Sequence, residues 1–369
     1  MVSLTRKYLL HDRTRLAISL FGVSLAILLI FTLSGIYLGF YRQATIFIDN
    51  SGADLWIVQK GAPNFYFAVS FLPSSLQDPI AQVEGVQTVS PFLYQGATLT
   101  KDQKSQFVFY FGYDTATGLG GPWNIIEGSQ ITGQNQIILD TSTASKIGIG
   151  VGGSVSLDGH SLVVAGISSG TRGILAPLAF VGLSDAQRIS GWTGFVNFFL
   201  VKTLPGTSPN SVSSSLRTRL LTVDVFLNSE WSATSRDAII SGITPIFQAM
   251  VMMGGLTGFL VIALTNYSGT VERQREYGIL KALGMRNRRL FKVVFTQSII
   301  IAVSSFTIGG ILSAFVVVAL TYIVQSPLTI VYDSNSVASI LAAAVLIGGG
   351  GALLPARRIS RVDPAIAFK

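Results

Sequence analysis

Few residues in this 369-residue sequence could do chemistry, and they are scattered. There are two histidines, His11 and His160, and no cysteine. No disulfide framework exists, so the redox compartment cannot be read from cysteine usage. The histidines stand beside an apolar run and in a turn, which suits solvated polar residues better than a catalytic or metal pair. No Cys/His/Asp/Glu cluster has metal-ligand spacing, and no catalytic, cofactor or metal residue is assigned. The run Gly148-Ile149-Gly150-Val151-Gly152-Gly153 matches G-x-G-x-x-G by letter. A dinucleotide loop follows a strand and opens a helix. These glycines follow a helical stretch and precede a strand, which predicts a tight turn. G-x-x-x-x-G-K-[ST] is absent, so the sequence has no P-loop of its own and no enzymatic activity is expected from it. The remaining candidate is a concentration of charge. "TVERQREYGILKALGMRNRRLFK" (270–292) packs seven Lys/Arg and two Glu into 23 residues of a chain that is 12% charged.

That loop must be positioned by what flanks it. With 49% hydrophobic residues and a mean hydropathy of +0.55, the composition is that of a membrane protein. Four charge-free runs (16–41, 238–270, 293–332 and 334–356) each exceed the roughly 20 residues that a helix needs to cross the hydrocarbon core. Spans are expected near 17–40, 245–268, 293–324 and 335–354, with Pro327 marking the exit of the third. The first run is too long for a signal-peptide core and reads as a retained anchor.

Basic residues set the orientation. The N-terminus (Arg6, Lys7, Arg13, Arg15), the 270–292 loop and the C-terminus (Arg357, Arg358, Arg361, Lys369) together hold 15 basic and four acidic residues. The 42–237 segment has 11 basic and 13 acidic residues. The expectation is a multi-pass protein of the cell membrane with both termini cytoplasmic and the long segment outside. The net charge of +8 is then a signature of topology, and nucleic acid is not an expected partner. The runs carry no ionisable residue at midplane depth, which argues against an ion-coupled carrier.

The outer segment reads as α+β, with helices on one face of an antiparallel sheet. Strands are expected at 53–59, 105–113, "VNFFLVK" and "TVDVFLN". "SSLQDPIAQVEGVQTVSPFL" predicts a short helix, capped by Ser74 or Ser75 and stopped at Gly85, that runs into a strand. "NQIILDTSTASKIGIGVGGSVSLDGHSLVVAGI" predicts strand, helix and hairpin, with Asp158-Gly159 as a two-residue turn. A helix over 183–189 is expected to be capped by Ser184, and another helix to cover "SPNSVSSSLRTRLL".

The loop itself predicts a short amphipathic helix. Tyr277, Ile279, Leu280 and Leu283 give it a partly apolar face. Glu272 and Glu276 come early and Lys281 late, as the helix dipole favours, and Gly284 is a stop. One reading is a basic loop lying on anionic membrane lipid. The other is a docking surface for a cytoplasmic partner, which also explains the interleaved acidic and apolar residues.

"VERQREYGILKALGMRNRRLFKVVFTQS" strongly resembles the segment after the second span in MacB/FtsX/LolE-type (type VII) permeases of ABC transporters. The resemblance extends along nearly the whole chain. "LTRKYLLHDRTRLAISLFGVSLAILLIF" looks like the family's amphipathic elbow and first span. The stretch quoted above from 135 to 167 and "APLAFVGLSDAQRISG" look like its extracytoplasmic core. "LPARRISRVDPAIAFK" looks like its tail. The implied fold is four transmembrane α-helices with a large α+β extracytoplasmic domain inserted between helices 1 and 2. The expected parts are an elbow (1–15), spans 16–41, 241–269, 293–325 and 335–355, the core domain (42–240), the coupling loop (270–292), an outer loop (326–334) and a tail (356–369).

By this resemblance, Glu272, Arg273, Arg275, Glu276, Gly278, Leu280, Lys281, Leu283 and Gly284 form the coupling helix that sits in a cleft of the ATPase. Tyr277 stands where the family more often has isoleucine. The implied partners are two copies of a separate ABC ATPase that holds the ATP-Mg, a second permease chain forming a homodimer, and membrane lipids. A periplasmic adaptor or other outer partner is a further expectation. Motion of the ATPases would pass along the spans to the outer domain, which exports or extracts an amphiphile such as a lipid, peptide, antibiotic, haem-like molecule or lipoprotein. The alternative is an FtsX-like regulator of an external cell-wall enzyme that transports nothing. Gly35/Gly39 and Gly254/Gly258 are small-xxx-small pairs that allow close helix approach.

Overall fold

The computed structural model describes residues 13–67, 70–320, 329–353 and 355. The expected elbow up to residue 12, Pro327 and the tail from 356 onward lie outside the described residues. The chain forms two compact units, one of residues 40–242 and one of the residues on either side of them.

A long helix, α1 (Arg13–Gln43), leads to a five-residue helix, α2 (Ile46–Asn50). The strands that follow are β1 (Leu55–Gln59), β2 (Leu72–Pro73), β3 (Val86–Lys101), β4 (Lys104–Tyr113), β5 (Ile125–Gly128) and β6 (Gln136–Asp140). After these come β7 (Ser154–Leu157), β8 (His160–Ser168), β9 (Leu178–Gly182), β10 (Phe195–Val196), β11 (Phe198–Thr203) and β12 (Val223–Leu227). Helices α3 (Gln77–Ala81), α4 (Thr141–Ile147), α5 (Leu183–Ser190) and α6 (Pro209–Arg219) lie between them. Four helices complete the chain: α7 (Asn228–Glu272), α8 (Gln274–Ala282), α9 (Asn287–Val318) and α10 (Ser334–Gly351).

In the inserted unit, nine strands run in the order β12-β1-β11-β3-β4-β9-β6-β8-β5, and β7 pairs with β3 and β8. The sheet is mixed, not antiparallel as the sequence suggested: β4 pairs parallel with β9, and β6 parallel with β8. The four helices that lie between strands share one face, as expected, but α2 and the start of α7 join the other. Side chains alternate along a strand, so Leu55 and Ile57 join the layer under α3 and α6, while Trp56 and Val58 point to the other face. Helices α4 and α5 cover the same face as α3 and α6, through Ala144, Ile147 and Ala186. The opposite face is an aromatic core built around Phe47, Trp56, Phe92, Phe111, Phe198 and Trp231. Burial in this layer pushes the phenols of Tyr94 and Tyr113 up to about 12.

Local chemistry explains several boundaries. Asp158 and Gly159 both have positive φ (45° and 87°) and close the β7–β8 hairpin as the sequence predicts. The glycine run follows α4, with Gly148 as its left-handed cap, and precedes β7, which disposes of the nucleotide-loop reading. Two expected caps are displaced. Helix α5 begins at Leu183 with Gly182 as its cap, so Ser184 falls inside it. Ser74 and Ser75 belong to a 3-10 turn (Ser74–Leu76) ahead of α3. At the start of α7, Asn228 accepts a 2.7 Å hydrogen bond from the Trp56 indole, and Trp231 is buried.

In the other unit, α1, α7, α9 and α10 are the helices among the described residues that are long and apolar enough to cross a membrane. Helix α1 buries 44% of its most apolar stretch against 22, 28 and 22% for α7, α9 and α10, which makes it the central helix. Val23, Ile27, Ile30 and Phe31 pack on Ile262, Ile301, Ala302, Ile340 and Ala344. Polar links cross the bundle, as in Asn266 to Ser298 (2.7 Å) and Ser313 to Tyr332 (2.6 Å). The small-residue pairs serve contacts within the chain. A Cβ on Gly258 would meet Ala26 Cβ at 3.3 Å, and one on Gly254 would meet Ile30 at 3.3 Å. Gly35 lies against Ile330 and Tyr332, and Gly39 against the Thr329 carbonyl.

Candidate functional site

The charged loop folds as a break, a helix and a turn. Helix α7 ends at Glu272, Arg273 leaves helical geometry (φ −100°, ψ 20°), and α8 restarts at Gln274. The end of α8 is a Schellman motif. Gly284 takes φ +87°, its N–H donates to the Lys281 carbonyl (2.9 Å), and the Met285 N–H donates to the Leu280 carbonyl (2.9 Å). The hydrophobic contact that accompanies such a cap is present, with Leu280 and Met285 packed on one apolar cluster. Arg286 then caps α9.

A nine-residue helix is not stable by propensity alone. Tyr277, 5% exposed, anchors it against Leu290, Val294 and Ala352. Gly278 is buried beside it. The apolar face expected from the sequence is therefore split in two. Tyr277 and Leu280 face the bundle, while Ile279 (45% exposed) and Leu283 (79%) face away.

The nine candidate residues divide accordingly. Arg275, Glu276, Leu283 and Gly284 are exposed, and Ile279 joins them as an outward residue that the sequence reading grouped with the anchor. Lys281 and Leu280 are half-buried, and Gly278 is covered. Glu272 forms an ion pair with Arg15 near the start of α1 and accepts a 3.1 Å hydrogen bond from Ser268. Arg273 lines a polar cavity of about 30 Å³ together with Arg15, Asn266, Tyr277 and Gln297. Glu272 and Arg273 thus tie α8 to the helices above it, and the exposed face is the row Arg275, Ile279, Leu283 with Glu276 beside it. Such a surface of two aliphatic side chains flanked by opposite charges is fit to dock on protein.

One other cluster has nucleophile-like chemistry. In the inserted unit, Ser142 Oγ donates to Asp140 Oδ1 (2.5 Å) and Thr171 Oγ1 donates to Asp140 Oδ2 (2.8 Å). Arg172 donates to Ser142 Oγ (3.1 Å), and burial lowers its pKa while the nearby Asp140 opposes the shift. Asp140 is also the N-cap of α4 and accepts from the Ser142 N–H (2.9 Å). The cluster therefore fixes strand, helix and loop, and contains no imidazole. His160, the described histidine, lies in the β7–β8 hairpin.

Two family models match this chain, one after the other along the sequence. The family described as MacB-like periplasmic core domain matches residues 16–219, and the one described as FtsX-like permease C-terminal matches 249–364. An uncharacterized ABC transporter permease of Mycobacterium tuberculosis is 21% identical over 366 residues, 96% of each chain. A Staphylococcus epidermidis protein named as a hemin transport system permease, HrtB, is 20% identical over 370 residues, covering 100% of this chain and 99% of its own. The periplasmic region of MacB from Actinobacillus actinomycetemcomitans superposes on 50% of this chain and 94% of its own, with a TM-score of 0.41 and 13% identity.

Proposed function

Because this chain belongs to the MacB/FtsX-like ABC transporter permeases, we propose that it couples ATP hydrolysis in a separate ATPase subunit to the handling of an amphiphile outside the membrane. Family membership implies the ATPase partner. Docking through α8, two ATPase copies, a second permease chain and cytoplasmic termini are the finer parts of this reading. The observation that carries it is the geometry of α8. Its inner side is held by Tyr277 and Gly278, the Arg15–Glu272 pair ties the end of α7 just before it to α1, and its outer side presents Arg275, Glu276, Ile279 and Leu283. A push on that outer side has a short route to the ends of α1, α7 and α9. The staphylococcal relative is named for hemin, itself an amphiphile, and the substrate here is proposed only at that level of class.

The test is the double reversal Arg275→Glu with Glu276→Arg. Both side chains are exposed, so membrane insertion should be unchanged. Co-purification with the ATPase, and stimulation of its activity in vesicles, should fall by about tenfold, the effect of losing about 1.4 kcal/mol of contact. Undiminished coupling in the reversed variant would rule out docking through this face.

A further inference from the structure

We infer that a cavity between α1, α7 and α10 is a binding site for an uncharged amphiphile, a hydrocarbon tail with a hydroxyl- or amide-bearing head. The inference rests on the permease reading and assigns a place to its substrate class. The cavity has a volume of about 600 Å³, within the roughly 300–1,000 Å³ typical of small-molecule sites. Chain direction orders its lining. Helix α1 runs toward the inserted domain in sequence, whereas α7 and α10 run away from the segments that precede them. The contacts of Gly35 and Gly39 with residues 329–332 confirm that the end of α1 and the start of α10 share one end of the bundle.

At that end the polar groups of the lining gather, beside Leu38 and Phe247. The Tyr37 and Thr244 hydroxyls are hydrogen-bonded at 3.1 Å, and Gln248, Asn335 and Ser336 join them on the wall. Deeper along the same helices the wall is Ile30, Val251, Ile340 and Ala343. Polarity therefore grades along the cavity as it does along an amphiphile, with hydrogen-bonding groups for a head and hydrocarbon for a tail.

Among the described residues, no Asp, Glu, Lys, Arg or His lines the cavity. A charged head would enter without a counter-ion, at the high cost of an unpaired charge in an apolar site. This selects a neutral head from among the amphiphiles. Met252, 67% exposed, stands at the open side, where a molecule can enter laterally from the bilayer.

The test places the full chain in phosphatidylcholine vesicles with a monoacylglycerol that carries a diazirine in its tail. Irradiation should put adducts on peptides containing Val251 and Met252 or Ile340 and Ala343. Excess unlabelled monoacylglycerol should compete the adduct away on the unaltered chain. Ala343→Phe, which fills the deep end, and the smaller filler Ser339→Leu should each reduce it. A fatty acid of equal chain length, kept ionised by an alkaline buffer because the bilayer interface raises its carboxyl pKa, should label about tenfold less, the equivalent of about 1.4 kcal/mol of discrimination. Uniform labelling of every lipid-facing helix, including the exposed Phe315 of α9, without competition, would overturn the proposal. Equal labelling by the fatty acid would overturn the neutral-head selection. Labelling needs neither ATPase nor ATP, so its failure leaves docking through α8 standing, and failure of docking leaves the labelling result unchanged.

Discussion

Tyr277 stabilises the helix on which the functional reading depends, and it does so from the inner side. Its ring is 5% exposed against Leu290, Val294 and Ala352. Truncating a buried aromatic to alanine costs about 3–5 kcal/mol, more than the few hydrogen bonds of α8 can offset. Tyr277→Ala should therefore loosen α8 locally, opening Arg275 and Lys281 to trypsin and lowering ATPase stimulation, with the four long helices still inserted. Tyr277→Phe, which keeps the ring, should recover most of the protection. Equal protease resistance in the alanine variant and the native chain would show that α8 is held by something else. This residue also marks a limit of sequence reading. Apolar residues at 277, 279, 280 and 283 signal a helix, but not which of them turn inward. The spacing Arg275, Ile279, Leu283 is i, i+4, i+8, a continuous outward row. Nothing local says that Tyr277 and not Leu283 meets the bundle, because that choice is made by Leu290 and Val294 on a later helix. Glu272 is a similar case, since its partner Arg15 lies 257 residues away in sequence.

At the scale of elements, the bundle is set by where backbones come close. A Cβ on Gly309 of α9 would lie 2.9 Å from the Ser24 carbonyl oxygen and 2.9 Å from Ile27 of α1. At the next residue, a Cβ on Gly310 would meet Phe31 at an ordinary 3.5 Å. Glycine to alanine inside a helix gains roughly 0.5–1 kcal/mol of propensity at either site. At Gly309 the backbone carbonyl must move, and overpacking of this kind costs about 1–3 kcal/mol. Gly310→Ala should raise the melting temperature in detergent and Gly309→Ala should lower it. A shift of the same sign in both would mean that α1 and α9 are not in close contact there. The four long helices were legible because charge-free runs mark them, although the helices outrun those runs. Helix α7 begins at Asn228 and α9 at Asn287, well before the charge-free stretches they contain. Charge reports where hydrocarbon ends, whereas a helix continues into water as long as its hydrogen bonds do. In the inserted unit, many strand and helix positions followed from period and turn chemistry, but β5, β9 and α2 were not among the expected elements. Strand direction did not, because the parallel pairs β4–β9 and β6–β8 join segments distant in sequence.

For the whole molecule, the sequence itself supplies both an expectation of which side each unit faces and the means to test it. Positive residues are retained on the cytoplasmic side. The three terminal and loop segments carry 15 basic and four acidic residues, while the 42–237 segment carries 11 and 13. If this bias sets insertion, Leu283 faces the cytoplasm and Leu221 faces out. Both side chains are highly exposed, at 79% and 71%. The chain has no cysteine, so Leu283→Cys and Leu221→Cys each introduce a lone thiol without background. An impermeant maleimide applied to spheroplasts should label the Leu221 variant and spare the Leu283 variant, and inside-out vesicles should give the opposite pattern. The exported-amphiphile reading requires that pattern, because α8 can meet an ATP-driven subunit only where ATP is. Labelling of both thiols from one face would remove the separation between the site of ATP hydrolysis and the site of substrate handling, and with it the need for a helix that transmits force.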